Sequence, residues 1–309
     1  MKPVITLWSC IIRDNVRVTV DVLESRAGLL PELLSGAASP KVGRNLLIFF
    51  PGNPGVVNFY LEFVALLAAK SVDVVVMGFA GHSLHELNAG QYFTLQDQLE
   101  LAHQFTGRVL NERVTSRYTS CNVGGHSIGS FVALHMCARF EEVSRAFLLT
   151  PTICNMKISP NGAKNGKFLR PWLIHTVCST LLPLFEMLPQ RAKNAVVQLA
   201  QNELDGQQRW IATKMGRPSM IRNLLFLARS EFEQIATLDV ELLTAHQERL
   251  VMYFVKQDGW VPLHDVELIK KHAPIAHSLI LEGDEKVAHA WCLHHNAKVV
   301  EAAVLPFLP

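Results

Sequence analysis

Short apolar runs recur along the chain at Leu46–Phe50, Val72–Met77, Cys121–Gly124, Arg145–Leu149, Leu250–Val255 and His277–Leu281. Stretches with helical character (59–70, 95–113 and 290–303) lie between or after them. Apolar runs this short, alternating with helices, predict βαβ units and a mostly parallel central sheet covered on both faces, hence one α/β domain over 1–309. Before the first run, two β-branched stretches flank Asp14-Asn15 and predict a hairpin. Between Thr152 and His246 the rhythm breaks and the pattern becomes helical. That change predicts a helical cap over 152–246, inserted between two strands above their carboxyl ends, where such sheets bind ligands. Within it, Phe168–Leu188 is the most apolar 21-residue window, although Arg170, Pro171, His175, Pro183 and Glu186 interrupt it. Two readings suit the window: a helix pair packed over a site, or a segment lying in a lipid surface.

Composition narrows the function classes. Of 309 residues, 49% are apolar and 18% charged, which excludes a disordered chain. The net charge of +2 lacks the basic excess expected of a nucleic-acid binder. No run of about 18 apolar residues appears, so a bilayer-spanning helix is not expected, although the mean hydropathy of +0.19 is high. The six cysteines are scattered without a C-x-x-C pair, and the first residues lack the features of a signal peptide. Together these predict a reducing, cytosol-facing location.

The chemistry centres on Gly125-His126-Ser127-Ile128-Gly129, which follows a strand-like run and precedes a helical one. G-x-S-x-G in that setting is a nucleophile elbow: a sharp turn lifts the serine off the sheet, and glycines remove Cβ atoms that would strike strand and helix. Gly81-His82-Ser83-Leu84-His85 lacks the second glycine and reads as a loop. A serine nucleophile needs a base and an orienting acid, here in the chain order serine, acid, histidine. Asp258, beyond the Leu250–Val255 run, and His289, beyond His277–Leu281, arrive in that order. Among rival acids, Asp265 reads as a helix cap, Asp284 as a turn residue, and Asp239 as part of the connection out of the cap. His264, His272 and His277 read as surface or edge residues, and His294 and His295 as part of the last helix. No H-x-x-x-H pair with an acid suggests zinc, so no metal or other cofactor is expected. An oxyanion hole would take the N–H of Ile128 and one from Pro51-Gly52-Asn53-Pro54-Gly55, where Asn53 occupies the usual donor position and neither proline has an N–H.

Phe49-Phe-Pro-Gly-Asn-Pro-Gly55, Gly125-His-Ser-Ile-Gly-Ser130 with Arg145–Leu149, and Val287-Ala-His-Ala290 resemble the lipid droplet-associated hydrolases, a branch of the α/β-hydrolase superfamily. The likeness runs from about Leu46 to the last helix. It implies a serine hydrolase of sterol or other lipid esters on lipid droplets and endoplasmic reticulum, with Ser127, Asp258 and His289 as triad and an apolar mid-chain segment aiding attachment. One departure is Gly259-Trp260, where the family often has Pro-Trp after the aspartate. The leading expectation is thus ester hydrolysis through an acyl-enzyme. The alternatives are an acyl thioesterase and a lipid-surface protein on a weakly active hydrolase scaffold. Epoxide hydrolases and dehalogenases share the fold but need a carboxylate where Ser127 stands.

Overall fold

The computed structural model describes residues 2–12, 15–36, 43–200, 203–281 and 287–308. Eight strands form one sheet: β1 (Val4–Ile12), β2 (Val16–Glu24), β3 (Asn45–Phe50), β4 (Val72–Met77), β5 (Ser120–His126), β6 (Val143–Leu149), β7 (Leu250–Val255) and β8 (His277–Leu281). The order is β1-β2-β4-β3-β5-β6-β7-β8. From β4 through β8 every pairing is parallel, whereas β1 pairs β2 and β2 pairs β4 antiparallel. Every residue of β3, β4, β5 and β7 is buried. Covered on both faces, these strands needed no polar alternation, which is why they read as plain apolar runs. β1, at the sheet edge, alternates exposed and buried positions instead.

Around the sheet lie α1 (Leu29–Ser35), α2 (Leu61–Ala69), α3 (Leu95–Val109), α4 (Glu112–Thr115) and α5 (Ile128–Arg139). After β7 come α13 (Leu263–His272) and α14 (Asn296–Val299). One core, with α3, α5 and α13, covers one face of the sheet, and a second, with α2 and the carboxyl-terminal turns, covers the other. In the second, Phe49 meets Tyr60, Phe63 and Trp291 at ring-centroid distances of 4.8–6.5 Å. Burial of such a ring stabilises by roughly 1.5–3 kcal/mol, and Tyr60 and Trp291 of this cluster also pack against His126, at centroid distances of 6.0 and 5.1 Å.

Between β6 and β7 the described residues contain helices and no strand: α6 (Pro160–Asn165), α7 (Pro171–Thr176), α8 (Leu182–Met187), α9 (Gln190–Ala200), α10 (Gly206–Met215), α11 (Pro218–Gln234) and α12 (Val240–His246). A wide turn at Val177–Leu181 joins α7 to α8. No single helix among the described residues is long and apolar enough to cross a membrane, and Pro160–Leu169 and Pro171–Met187 are bent by 64° to each other.

Two expectations need correcting. The last helix does not run unbroken over 290–303: a 3₁₀ turn at Trp291–Leu293 stops at His294 and His295, and α14 starts after them. Asp265 does not cap α13, because Pro262 holds the cap position; Asp265 lies buried in the first turn and accepts from Asn155 Nδ2 at 2.6 Å. Asp14 and Asp284 lie outside the described residues.

Candidate active site

Parallel register brings the carboxyl ends of β3, β5, β6, β7 and β8 to one rim. Phe50 stands opposite Gly125, His126 opposite Leu149, and Val255 opposite Leu281. Ser127, at the junction of β5 and α5, has φ 54° and ψ −121°. Such a backbone costs a non-glycine residue about 1–3 kcal/mol and persists only where its surroundings impose it. Here they do. A Cβ on Gly125 would lie 2.0 Å from the Gly129 carbonyl, and one on Gly129 would lie 2.1 Å from the Phe50 oxygen. Without those atoms β5, α5 and the end of β3 close together. The Ser127 N–H donates to Leu149 O at 3.0 Å, and Ser127 O accepts from the Ser130 N–H at 2.9 Å.

Asp258 and His289 reach the same rim. Asp258 Oδ1 accepts the N–H groups of Trp260 (2.8 Å) and Val261 (3.1 Å), an Asx-type turn that fixes the carboxylate. Its Oδ2 lies 2.7 Å from His289 Nδ1, and His289 Nε2 lies 2.9 Å from Ser127 Oγ. A carboxylate only accepts, so Nδ1 carries the proton and Nε2 offers its lone pair to the serine hydroxyl. This is the geometry in which an imidazole takes a proton from a nucleophile while a buried acid steadies the cation. Gly259, the departure from Pro-Trp, packs against α6: its carbonyl accepts from the Asn161 N–H at 2.8 Å, and a Cβ would lie 2.7 Å from the Asn161 amide.

The Pro51–Gly55 loop can be resolved donor by donor. Pro51 and Pro54 have no N–H. The Gly52 N–H donates to Tyr60 Oη (2.8 Å) and the Gly55 N–H to His82 Nδ1 (2.9 Å). Among the described residues that leaves the Asn53 N–H as the loop's unoccupied donor. Ile128 opens α5, and the first N–H of a helix lacks an intrahelical acceptor. Beneath them runs a relay whose direction is fixed by its ends. His126 Nε2 lies 2.9 Å from the His289 carbonyl oxygen, which only accepts, so Nε2 bears the proton and Nδ1 accepts from Tyr60 Oη at 2.7 Å. Tyr60 Oη in turn accepts from Gly52. This needs a neutral imidazole, and burial, then the proximity of His289, pushes the His126 pKa down to about 3.

A cavity of about 670 Å³ opens above the rim, with Ser127, His289 and Asn53 at its floor and Phe168, Leu169 and Leu225 among its walls. Among the described residues no group of three or more His, Cys, Asp or Glu side chains is placed to hold a metal ion.

A sequence profile of the lipid-droplet associated hydrolases matches residues 43–292. The chain belongs to that family. Curated relatives named lipid droplet-associated hydrolase include one from Mus musculus, 28% identical over 274 residues (83% of this chain, 82% of the relative). Another, from Drosophila melanogaster, is 26% identical over 270 residues (82% and 85%). Among solved structures, a carboxylesterase of Nitrososphaera gargenis superposes with a TM-score of 0.61 at 14% identity, covering 95% of both chains. A bacterial membrane phospholipase A superposes with 0.63 at 13% identity, covering 96% of this chain and 84% of that one. Likeness at such identities is a likeness of fold, and with the strand order above it shows an α/β-hydrolase fold.

In this lipid-droplet associated hydrolase the described rival acids, Asp239 and Asp265, are engaged elsewhere. Asp239 caps α12 through the Leu242 N–H, and His264 is largely exposed beside Asp265. Three participants had no sequence signal that singled them out. Tyr60 looks like any aromatic on a helical stretch. His82 belongs to the Gly81–His85 loop, yet it is fully buried, with its pKa pushed down to about 4, and props the Pro51–Gly55 loop from behind. Glu231, on α11, accepts from Asn53 Nδ2 at 3.0 Å and lines the cavity.

Proposed function

We propose that this hydrolase is a serine esterase of lipid acyl esters, working on lipid droplets and the cytosolic face of the endoplasmic reticulum. The observation that carries the reading is the unbroken Asp258–His289–Ser127 hydrogen-bond chain at the floor of an apolar cavity. His289 Nε2 takes the hydroxyl proton as Ser127 Oγ attacks the acyl carbonyl. The N–H groups of Asn53 and Ile128 receive the developing oxyanion. The imidazolium then protonates the leaving alcohol, and water, activated by the same imidazole, hydrolyses the acyl-enzyme. The helices over 152–246 act as a cap whose apolar walls take the acyl chain or a sterol.

Surface attachment is assigned to Phe168–Leu188 and its neighbours. In α7, α8 and the turn between them only Cys178 is buried, while Trp172, Leu181, Leu184 and Met187 are 56–82% exposed. Residues 157–217 carry nine Lys and Arg against three Asp and Glu. Lys167, Lys193 and Lys214 sit over the rings of Phe168, Phe185 and Trp210. Basic and aromatic side chains beside an exposed apolar face suit a lipid interface.

The test pairs a fluorophosphonate label with a panel of lipid esters and acyl thioesters. Wild type should label at Ser127 and cleave one class of the panel, and Ser127→Ala should do neither. Equal hydrolysis by both proteins would remove Ser127 from the mechanism.

A further inference from the structure

Asn53 is tied to the cap by a single helix. Its Nδ2 donates to Leu224 O (3.2 Å) and Glu231 Oε1 (3.0 Å), both on α11. The Leu224 carbonyl only accepts, which fixes the amide's orientation, and leaves Asn53 Oδ1 buried without a partner. Glu231 is itself 2% exposed and lines the cavity. No base offsets it. On α11, Arg229 pairs with Glu233 on the outer side and Arg222 donates to Tyr92 Oη. Of the segments packed on α11, α3 presents Asp97, engaged with Thr94; the 81–93 loop presents His82, which burial keeps uncharged; the 166–169 turn presents Lys167, which lies over Phe168; and the 177–181 turn presents the thiol of Cys178. The titratable groups sharing the cavity are Tyr60, His126, His289 and Cys292. An acid buried without a cation favours its uncharged form, and burial raises the Glu231 pKa to about 7.

We propose that Glu231 is a positioning residue that, uncharged, ties α11 to Asn53 and so sets the aim of the Asn53 N–H, whereas its ionised form sets a negative charge beside the developing oxyanion. The proposal rests on the serine-esterase reading above. A negative charge hydrogen-bonded to the side chain of the residue whose N–H receives the oxyanion slows turnover on the order of 10- to 100-fold in a partly desolvated site. Turnover therefore needs a neutral imidazole at 289 and a neutral carboxyl at 231, and the alkaline limb of the pH profile belongs to Glu231.

The experiment measures kcat and KM on a soluble short-chain ester from about pH 5.5 to 9.5 for wild type, Glu231→Gln and Glu231→Ala, with the fluorophosphonate labelling rate in parallel. Gln keeps an acceptor oxygen toward Asn53 and cannot ionise. Its profile should lack the alkaline limb, so the ratio of its kcat to that of wild type should climb about 10- to 100-fold between pH 6 and 9. Ala removes the tie and should lower kcat about 10- to 100-fold across the range, with KM changed far less. An alkaline limb in Glu231→Gln identical to that of wild type overturns the proposal, as does full activity in a folded Glu231→Ala. If the Ala variant does not fold, the near-isosteric Gln decides alone. Labelling of wild type at Ser127 together with an unmoved profile sinks only the role of Glu231. No labelling and no hydrolysis by wild type sinks the esterase reading and this proposal with it.

Discussion

The floor of the cavity and its roof are built differently. On the floor, strands β3, β5 and β7 are wholly buried, and Ser127, Asp258, His289, His126 and Tyr60 form one hydrogen-bonded system. Over it, the chain that supplies the wall residues Phe168 and Leu169 runs on, outside the cavity, into α7 and α8, which have no buried residue and turn large apolar side chains outward. A floor held by backbone register and paired polar groups tolerates little displacement, so substitutions there strike turnover or folding. A segment with few buried contacts tolerates change, and on the proposed function substitutions there should alter where the protein sits rather than turnover.

The contrast is broken most severely at Ser127. Ser127→Ala should cost roughly four to six orders of magnitude in turnover at unchanged Tm, read from ester hydrolysis and thermal melts. Asp258→Asn should cost about four orders, because the amide favours the wrong imidazole tautomer. Gly129→Ala tests the floor as structure: with a Cβ forced to 2.1 Å from the Phe50 oxygen, strand and helix must part, and denaturant melts should show a loss of about 3 kcal/mol or more. The roof answers differently. Leu181→Asp with Leu184→Glu, both at exposed positions, should lower partitioning onto lipid droplets by about tenfold or more. Melting temperature should stay as in wild type, and unchanged droplet binding would assign attachment to another surface.

Stability should also follow pH. Burial holds the imidazoles of His82 and His126 neutral, with pKa values lowered from 6.5 to about 4 and about 3. The unfolded chain takes up protons these sites refuse, so their contribution is complete above pH 6.5 and is lost as pH falls toward 4. Glu231 works in the opposite sense. With its pKa raised from 4.5 to about 7, rising pH across that interval favours the unfolded chain, by on the order of 3 kcal/mol once complete. Glu231→Gln should therefore melt higher than wild type at pH 8 and show little advantage at pH 4.5.

The sequence revealed the floor better than the roof for a physical reason. Strands covered on both faces must be apolar throughout, and the turn at Ser127 demands glycine at 125 and 129, so both leave marks within a few residues. Contacts across long separations leave none. Glu231 meets Asn53 across 178 positions and stands beside exposed Glu233 in the same amphipathic helix, where nothing local separates one acid from the other. His82 is visible in Gly81–His85, but its task depends on the Gly55 N–H, and Asp265 reads as a cap until Asn155 is seen against it. The short α1 is likewise unmarked, because a single turn or two of Leu-rich chain carries no helical period. The Phe168–Leu188 window admitted two readings because hydropathy does not tell a covered apolar surface from an uncovered one.

All six cysteines are buried free thiols. Five belong to the sheet, its flanking helix or the chain around its rim, whereas Cys178 alone lies in the turn between α7 and α8. An alkylating reagent meets each thiol only when the chain around it opens. The order of mass increments after timed exposure would then act as a clock: early single tagging at Cys178 records the roof lifting, and six tags acquired together record a molecule coming apart.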